Sequence, residues 1–353
     1  MTNKIIILFL LLHVIFINLS HSQYNIDKNN FADTSLLFQN QVAIPIQLKF
    51  SIKNIKKNTN DSTYIESTVF YKNETKLWDS IKTDLRARGN YRRKNCYYVP
   101  LKLKLKKTLT KGTLFEGNNK LKIVLPCLIE RYNNDYVVKE YMAYKLYEII
   151  SPYHFKTRLA NIEFLEEKGK RIKKHELKGI IIEDIDKVAE RYGGNEYDKV
   201  IHPMKLDTIT AIRNSIFQYL IGNTDFSLKF QHNEKLLFIH NKFIVIPYDF
   251  DMSGLVNTSY ATISGTQNLP VKITEVTQRA YKGYKRNELL LQKVREEFIS
   301  NKDQIFNTVN NLKEFFNDSN QFYKAKNFIT GFYEIIENDK KFKKNFIVRV
   351  RTK

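Results

Sequence analysis

The chain has 353 residues and a formal net charge of +21, from 58 lysines and arginines against 37 aspartates and glutamates. Its two cysteines are too few for a disulfide framework and lack the clustering of zinc ligands, which excludes the small cysteine-rich and zinc-stabilised classes. The positive charge predicts affinity for anions such as phosphate, acidic polymers and anionic lipid, but it is spread along the chain, so a dedicated nucleic-acid site is not expected.

The N-terminal residues have the pattern of a secretory signal peptide. A lysine precedes the apolar run Ile5–Ile17, and small residues lead to a predicted cleavage after Ser22. The run is shorter than the ~20 residues that span a bilayer, so we expect export to the periplasm, cell surface or medium rather than a membrane anchor. Residues 23–40 are a predicted flexible lead-in. In an oxidising compartment Cys96 and Cys127 form either one disulfide or two free thiols, and their spacing leaves both open.

The next part of the chain has the pattern of a β-sheet. Short runs rich in β-branched and aromatic residues are separated by turn signals containing Gly or Asn. Within Val99–Leu105 the residues alternate, which places Lys102 and Lys104 on one face and leucines on the other. We therefore expect an antiparallel sheet. Its predicted strands are Ala43–Ile52, Tyr64–Tyr71, Leu85–Arg88, Tyr97–Leu105 and Leu121–Leu125.

One helix and one hairpin complete the predicted first half. Asp135–Ile150 carries apolar residues at steps of three and four and ends before Pro152. Leu159–Leu165 and Gly179–Ile185 are predicted strands joined by a basic turn. The polar segment Tyr192–Asp198 contains two glycines and is the predicted boundary between two lobes.

The second half is predicted to be mainly helical. Apolar repeats predict a helix over Asp207–Ile221, and the short strands Leu236–Ile239 and Phe243–Pro247 form a predicted hairpin. Three further helices are predicted over Leu289–Phe298, Ile305–Phe316 and Phe322–Ile336.

Two segments of the second half place oxygen ligands beside apolar, strand-like runs. They are Ile221–Asn233, with the sequence I-G-N-T-D-F-S-L-K-F-Q-H-N, and Val245–Gly254, with V-I-P-Y-D-F-D-M-S-G. Each apolar run stops at carboxylates or amides, which suit a hard cation such as Mg²⁺. We therefore expect a metal and a phosphate to bind here.

The order of these segments resembles a group of exported Bacteroidota proteins and, more distantly, the CotH-type and HipA-type atypical kinases. The similarity covers most of the chain after the lead-in. It rests on L-R-A-R-G-N-Y at Leu85–Tyr91, K-L-K-I-V at Lys120–Val124, K-E-Y-M-A-Y-K-L at Lys139–Leu146, G-I-I-I-E-D-I-D at Gly179–Asp186 and the two segments above. The resemblance implies an α+β, bilobed protein kinase-like fold. Its antiparallel-sheet N-lobe with one helix would be residues 41–191, and its mainly helical C-lobe residues 192–353.

The resemblance implies roles for five polar residues of the C-lobe. Asp225 would be catalytic, accepting or orienting the proton of the attacking hydroxyl. Asp249 would be the main Mg²⁺ ligand, and Asp251 a second ligand or a structural partner. Asn233 would be a further metal ligand, although it follows Asp225 at a longer interval than the corresponding kinase asparagine, and Asn223 is the alternative.

In the N-lobe, the resemblance implies a lysine that neutralises phosphate oxygens and a helix carboxylate that holds this lysine in place. Lys122, on a predicted strand, and Glu140, on the following helix, stand in that order. Lys102 and Lys104 are alternatives for the lysine.

Four further residues are candidates for nucleotide binding. Arg86 and Arg88 offer guanidinium groups that form paired bonds to phosphate oxygens, and Gly89 allows close backbone approach. The resemblance places Glu183, at the end of an apolar strand, near the base. The sequence has no G-x-G-x-x-G or Walker motif.

Together these features predict an exported phosphotransferase that binds ATP and Mg²⁺ and transfers the γ-phosphoryl group to a hydroxyl of a protein or surface polymer. The alternative is a non-catalytic envelope or surface protein whose basic faces engage acidic polymers.

Overall fold

Seven β-strands close into a barrel in this computed structural model, which describes residues 35–73, 75–263 and 271–352. Around the barrel their order is β1-β2-β3-β4-β5-β7-β6. Strands β1 and β6 pair in parallel, and all other neighbours in the barrel are antiparallel. The strands are β1 (Ile44–Phe50), β2 (Ile65–Lys72), β3 (Trp78–Ala87), β4 (Leu101–Leu105), β5 (Lys120–Val124), β6 (Thr157–Lys168) and β7 (Arg171–Glu183).

Alternating side chains build the barrel wall. Leu85, Leu103 and Leu121 point inward and are buried in the barrel core. Lys102 and Lys122, one position along their strands, face outward, as a period of two requires. The predicted strands of this region are confirmed, with shifted ends, because each carries this alternation.

The predicted fold class is wrong. A bilobed, kinase-like fold requires an open antiparallel sheet in the N-lobe, whereas here the sheet is mixed and closed, and Ser35–Lys353 forms one compact unit. The closure comes from the parallel pairing of β1 with β6, in which Gln47 lies opposite Glu163, 116 residues later. Periodicity within a strand does not report which distant strand pairs with it, so this contact was not visible in the sequence.

A long helix covers one outer face of the barrel. Helix α5 (Asn133–Ile150) packs against β6 and β7, and its residues Val137, Tyr141 and Leu146 are buried there. This confirms the first predicted helix. Its polar residues Lys139 and Glu140 are also buried, so the helix has little exposed face.

A second, smaller sheet supports the acidic segments. It consists of β8 (Asn195–Tyr197), β9 (Glu234–Ile239) and β10 (Lys242–Pro247), all antiparallel. The predicted hairpin is confirmed as β9 and β10. Strand β8 falls in the polar segment predicted as a lobe boundary and adds a third strand to that hairpin.

Most other regular elements of the described chain are helices, and those predicted in the second half are confirmed. The longer ones pack with α5 around a second apolar core. The helices other than α5 are α1 (Leu36–Gln39), α2 (Ile52–Asn58), α3 (Asn90–Asn95), α4 (Lys107–Thr110), α6 (Ile185–Arg191), α7 (Thr208–Leu220), α8 (Glu288–Ser300), α9 (Lys302–Asn311), α10 (Ser319–Ile336) and α11 (Asp339–Phe342).

The predicted signal peptide, residues 1–22, lies outside the described residues. The last part of the predicted lead-in forms α1, where Leu37 and Phe38 are buried in the barrel core. Cys96 and Cys127 form a disulfide, with Cα atoms 4.5 Å apart. Within the described ranges, no helix combines the length and apolar character needed to cross a bilayer.

Candidate active site

Three basic side chains lie next to one another on the outer face of the barrel. Arg86 of β3 lies opposite Lys102 of β4, and Lys102 lies opposite Lys122 of β5. Like charges at directly opposite positions destabilise a sheet, and nearby anions would reduce the repulsion within such a row. Arg86 has Asp61 at 2.7 Å and Lys102 has Asp184 at 3.6 Å. Within the part of the chain that the structure describes, Lys122 is the member of the row without such a partner.

Lys122 is a buried cation, with only 9 % of its surface exposed. Its Nζ lies 5.1 Å from the centre of the Phe155 ring and 6.0 Å from that of Tyr248. Among the described residues it forms no ion pair or hydrogen bond. Burial, together with the smaller effect of the nearby charge of Arg88, lowers the pKa of Lys122 to about 7. Among the described residues the charge of Asp184 favours the ammonium, but no anion bonds it directly.

Arg88 and Gly89 lie at the end of β3, next to this lysine. The main-chain N–H of Arg88 donates to the carbonyl of Pro100 at 2.9 Å. Gly89 has a φ of 78°, a left-handed value that favours glycine. Within the described part of the chain the Arg88 guanidinium has no ion pair. Its positive charge acts to lower the pKa of both Lys122 and Glu140.

A buried cluster around Arg92 was not predicted. Arg92 Nε lies 3.0 Å from Asp251 Oδ2, and Arg92 Nη2 lies 3.4 Å from Glu140 Oε2. Tyr260 donates its hydroxyl to Asp251 Oδ2 at 3.0 Å. Burial raises the pKa of Glu140 and of Asp251, and the charge of Arg92 opposes this effect. Glu140 therefore pairs with Arg92, not with Lys122.

Asp225 lies in a short loop after α7. The chain turns at Gly222, which has a φ of 61°, and a Cβ there would lie 2.7 Å from the Phe328 ring. The main-chain N–H of Asp225 then donates to Oδ1 of Asn223 at 2.9 Å. The amide oxygen of Asn223 is thus engaged in shaping the loop.

The Asp225 side chain is held from two sides. Asn233 Nδ2 donates to Asp225 Oδ2 at 3.1 Å and to its main-chain oxygen at 2.6 Å. His232 Nε2 lies 3.3 Å from Asp225 Oδ1, and this contact raises the pKa of His232. The arrangement orients the carboxylate and leaves the amide oxygen of Asn233 for another partner.

A buried lysine holds the main chain on both sides of Asp225. Lys282 donates to the carbonyl of Thr224 at 2.7 Å and to that of Phe226. Its Nζ lies 4.4 Å from the centre of the Phe226 ring, and its side chain is 1 % exposed. Sequence reasoning missed Lys282, because it stands in an irregular segment far from Asp225 along the chain.

Asp249 follows β10 with an unusual backbone conformation. Its φ is 63°, a left-handed value that is rare for a residue with a side chain. Its main-chain N–H donates to the hydroxyl of Tyr144 on α5 at 3.0 Å. The half-buried carboxylate has no ion pair to any residue that the structure describes.

The acidic groups lie close together. The main-chain N–H of Tyr248 donates to the carbonyl of Asn233 at 3.1 Å, which brings Asp249 beside the Asp225–Asn233 pair. Burial raises the pKa of the Asp251 carboxyl, and the charges of Asp249 and Asp225 raise it further. The site thus contains three aspartates together with the basic residues Arg88 and Lys122.

A metal ion fits only part of the predicted ligand set. Among the described side chains, no three carboxylates, imidazoles or thiols gather closely enough to hold a metal ion alone. Mg²⁺ needs only one or two carboxylates when phosphates and waters complete its shell, so Asp249 and the amide oxygen of Asn233 are suitable donors. Asn223 and Asp251 are less suitable, because one accepts a backbone N–H and the other binds a buried arginine.

Two predicted residues are engaged elsewhere. Glu183 is buried, lies 2.7 Å from Arg191 and accepts the main-chain N–H of Lys156 at 2.5 Å. Arg86 donates to the hydroxyl of Tyr64 at 3.2 Å, in addition to its bond to Asp61. These contacts hold the barrel wall.

The geometry can bind an anion and a hard cation side by side. Lys122 and Arg88 present unpaired positive charge, and Asp249 presents unpaired negative charge within the described residues. Comparison with models of known protein families and with curated protein sequences finds no match.

Proposed function

We propose that this protein is an exported phosphotransferase that binds a nucleoside triphosphate with Mg²⁺ and transfers the γ-phosphoryl group to a hydroxyl of a protein or surface polymer. The barrel is not the fold of the kinases that the sequence resembles, so the proposal depends on the site. The observation that carries it is the buried ammonium of Lys122, which has no anionic partner among the described residues and lies near Arg88.

A bound polyphosphate would supply the missing negative charge. Burying an ammonium without a counter-ion is costly, and proteins accept this cost where a ligand completes the pair. Lys122 and Arg88 would each bind phosphate oxygens, and Lys102, opposite Lys122 on the next strand, would extend the positive surface. The rings of Phe155 and Tyr248 beside Lys122 exclude water and strengthen these charge interactions.

Asp249 and Asn233 would hold Mg²⁺. Both offer oxygen donors, and the bond from Tyr248 to the Asn233 carbonyl places them on neighbouring segments. When bound, the cation would neutralise charge on the phosphate oxygens.

Asp225 would accept or orient the proton of the attacking hydroxyl. Its two oxygens are fixed by Asn233 and His232, so the carboxylate is oriented before a substrate binds. Half-buried rather than enclosed, it remains within reach of an acceptor hydroxyl.

The alternative is a non-catalytic protein that binds phosphate-bearing or acidic polymers at the same basic surface. One observation favours it. Glu140 binds Arg92 and leaves Lys122 without the carboxylate that positions the corresponding lysine in kinases. Anion binding needs only Lys122 and Arg88, whereas transfer also needs Asp225 and Asp249.

Thermal or chemical unfolding with ATP and Mg²⁺ tests ligand binding. At about 100 times its dissociation constant the ligand should raise the free energy of unfolding by ~2.7 kcal/mol. The variant Asp249→Ala should lose the Mg²⁺-dependent part of this increase. The matched control is Asp303→Ala, at an exposed aspartate in the first turn of α9, which should respond like the wild type. A wild-type protein that ATP and Mg²⁺ do not stabilise would contradict the proposal.

Asp225→Ala separates transfer from binding. The variant should keep the nucleotide affinity of the wild type but lose phosphate transfer by about 10²- to 10⁴-fold, because a missing acid–base group affects only the chemical step. Radiolabel transfer to a protein or polysaccharide acceptor measures this loss. If both forms bind ATP and neither transfers phosphate, the non-catalytic alternative is favoured.

A further inference from the structure

The tip of the β2–β3 hairpin exposes a group of large apolar side chains. Leu77 is 67 % exposed, Trp78 is 53 % exposed, and Phe70 is 39 % exposed. Lys72 lies directly opposite Trp78, with its Nζ 5.7 Å from the centre of the Trp78 ring, and Phe70 is the diagonal neighbour on the same face. We refer to Phe70, Lys72, Leu77 and Trp78 as the tip patch.

The tip patch is held in place from behind. Tyr71, which points to the opposite face, is 1 % exposed and packs edge-to-face on Phe115, with ring centres 4.8 Å apart. Its hydroxyl donates to Asp79 at 3.1 Å. These contacts leave Leu77 and Trp78 outside the barrel core, so their exposure is a property of a fixed hairpin.

Lysines surround the tip patch. Lys72 and Lys76 belong to the hairpin. Because Leu105 pairs with Thr83, the chain after β4 continues towards the start of β3, where α4 packs against that strand. This segment adds the exposed Lys106, Lys107 and Lys111. The acidic residues of these two segments, Glu74, Asp79 and Glu116, are fewer than the lysines.

We propose that the tip patch attaches the protein to the surface of an anionic lipid bilayer, with Leu77 and Trp78 entering the headgroup region. An exposed apolar cluster rimmed by charge marks an interaction site. A projecting tip rather than a groove fits a soft, flat partner, and tryptophan suits the boundary between headgroups and acyl chains. The surrounding lysines match a negatively charged surface. This inference does not depend on the proposed phosphotransfer.

Trp78 itself provides the measurement, because it is the only tryptophan in the chain. The purified protein is mixed with phosphatidylcholine vesicles that contain about one third phosphatidylglycerol. We expect a blue shift of the Trp78 emission and quenching by brominated acyl chains. With phosphatidylcholine alone, or at high salt, the shift should be lost, since charge attraction to the bilayer is screened.

Leu77→Ser tests the role of the apolar side chain and retains the fluorescent reporter. The variant should bind anionic vesicles about tenfold more weakly, as expected when a leucine no longer enters the bilayer. The matched control is Leu289→Ser, at a leucine that is 79 % exposed on α8 and should not affect vesicle binding. Both changes are at the surface, and equal melting temperatures would show that folding is intact.

Four outcomes would overturn the proposal. The first is a Trp78 emission that anionic vesicles leave unchanged. The second is sedimentation with vesicles while Trp78 stays unquenched, which would assign attachment to other basic surfaces. The third is equal binding by Leu77→Ser and the wild type. A shift caused by a protein partner but not by vesicles would also reject a lipid partner.

Discussion

Lys122 shows how one buried charge can distinguish a binding site from an ordinary surface. Most lysines on a sheet keep the ammonium in water, but here strand register and the neighbouring aromatic rings enclose it. Because the pKa of Lys122 is lowered to about 7, its charged form is less favourable in the folded protein than in the unfolded chain. The cost of this burial is measurable.

Lys122→Met should stabilise the protein below about pH 7, on the order of 5 kcal/mol, because methionine carries no charge to bury. Between pH 7 and the ordinary pKa of lysine, ~10.4, the unfolded chain binds more protons than the folded protein, so wild-type stability rises with pH. The advantage of the variant should shrink over this window. Urea unfolding at about pH 6 and about pH 9 measures both effects.

The control for this experiment is Lys104→Met, at an exposed lysine on the same face of β4, which should change stability by less than ~0.5 kcal/mol. A Lys122→Met protein that is less stable than the wild type at pH 6 would mean that Lys122 makes a favourable interaction in the free protein. Lys122 would then not mark an unfilled anion position.

Arg92→Met should destabilise the protein by about 3–5 kcal/mol, because Glu140 and Asp251 would remain buried without their counter-charge. Without the guanidinium the pKa of both carboxyls rises further. The deficit should therefore shrink as the pH falls and the carboxyls become protonated. Urea unfolding at about pH 7 and about pH 5 tests this. Arg131→Met, at an arginine 79 % exposed, is the control, and equal losses in both variants would refute the role of Arg92.

At the scale of elements, Asp225 depends on three segments that are distant in sequence. Asp225 lies in the loop that follows α7. Asn233, which contacts it, immediately precedes β9, and Lys282 lies in the irregular segment before α8. Each of these contacts uses the main chain of the loop. The backbone of the loop therefore fixes where Asp225 lies, and the side chains of Asn233 and His232 orient its carboxylate.

Lys282→Met should loosen this loop selectively. Two carbonyls lose their donor, so amide hydrogen exchange over residues 224–232 should become at least about tenfold faster, while α7 and β9 keep their rates. Lys285→Met, at an exposed lysine of the same segment, is the control and should leave exchange unchanged. Equally faster exchange in α7 and β9 would show that Lys282 only fills the core.

Local patterns in the sequence were enough to predict the longer elements and part of the site, but not β8 or the short helices. Strand alternation and helical repeats predicted the strands and helices, and the ends of apolar runs pointed to Asp225 and Asp249, which the structure brings near each other. Arg92, Lys282 and Tyr260 belong to no motif. Their contacts join segments far apart in the chain, and no short pattern records such contacts.

For the whole molecule, the disulfide adds a covalent link between the segment after β5 and the segment before β4. Cys96 and Cys127 close a loop of the chain, which limits the freedom of the unfolded state. Reduction should lower the free energy of unfolding by about 2–4 kcal/mol. Because the chain has no other cysteine, urea unfolding with and without reductant measures this bond alone. Identical midpoints would contradict the prediction.

The parallel pairing of β1 with β6 sets the order in which the molecule can form. When β1 leaves the ribosome or a translocation channel, its partner on that side is still more than one hundred residues away. Loop closure over this distance is slow compared with forming the β2–β3 or β6–β7 hairpin. Until it occurs, one edge of β1 has unpaired backbone groups that can join another chain. The first strand to be synthesised is therefore among the last to be fully paired.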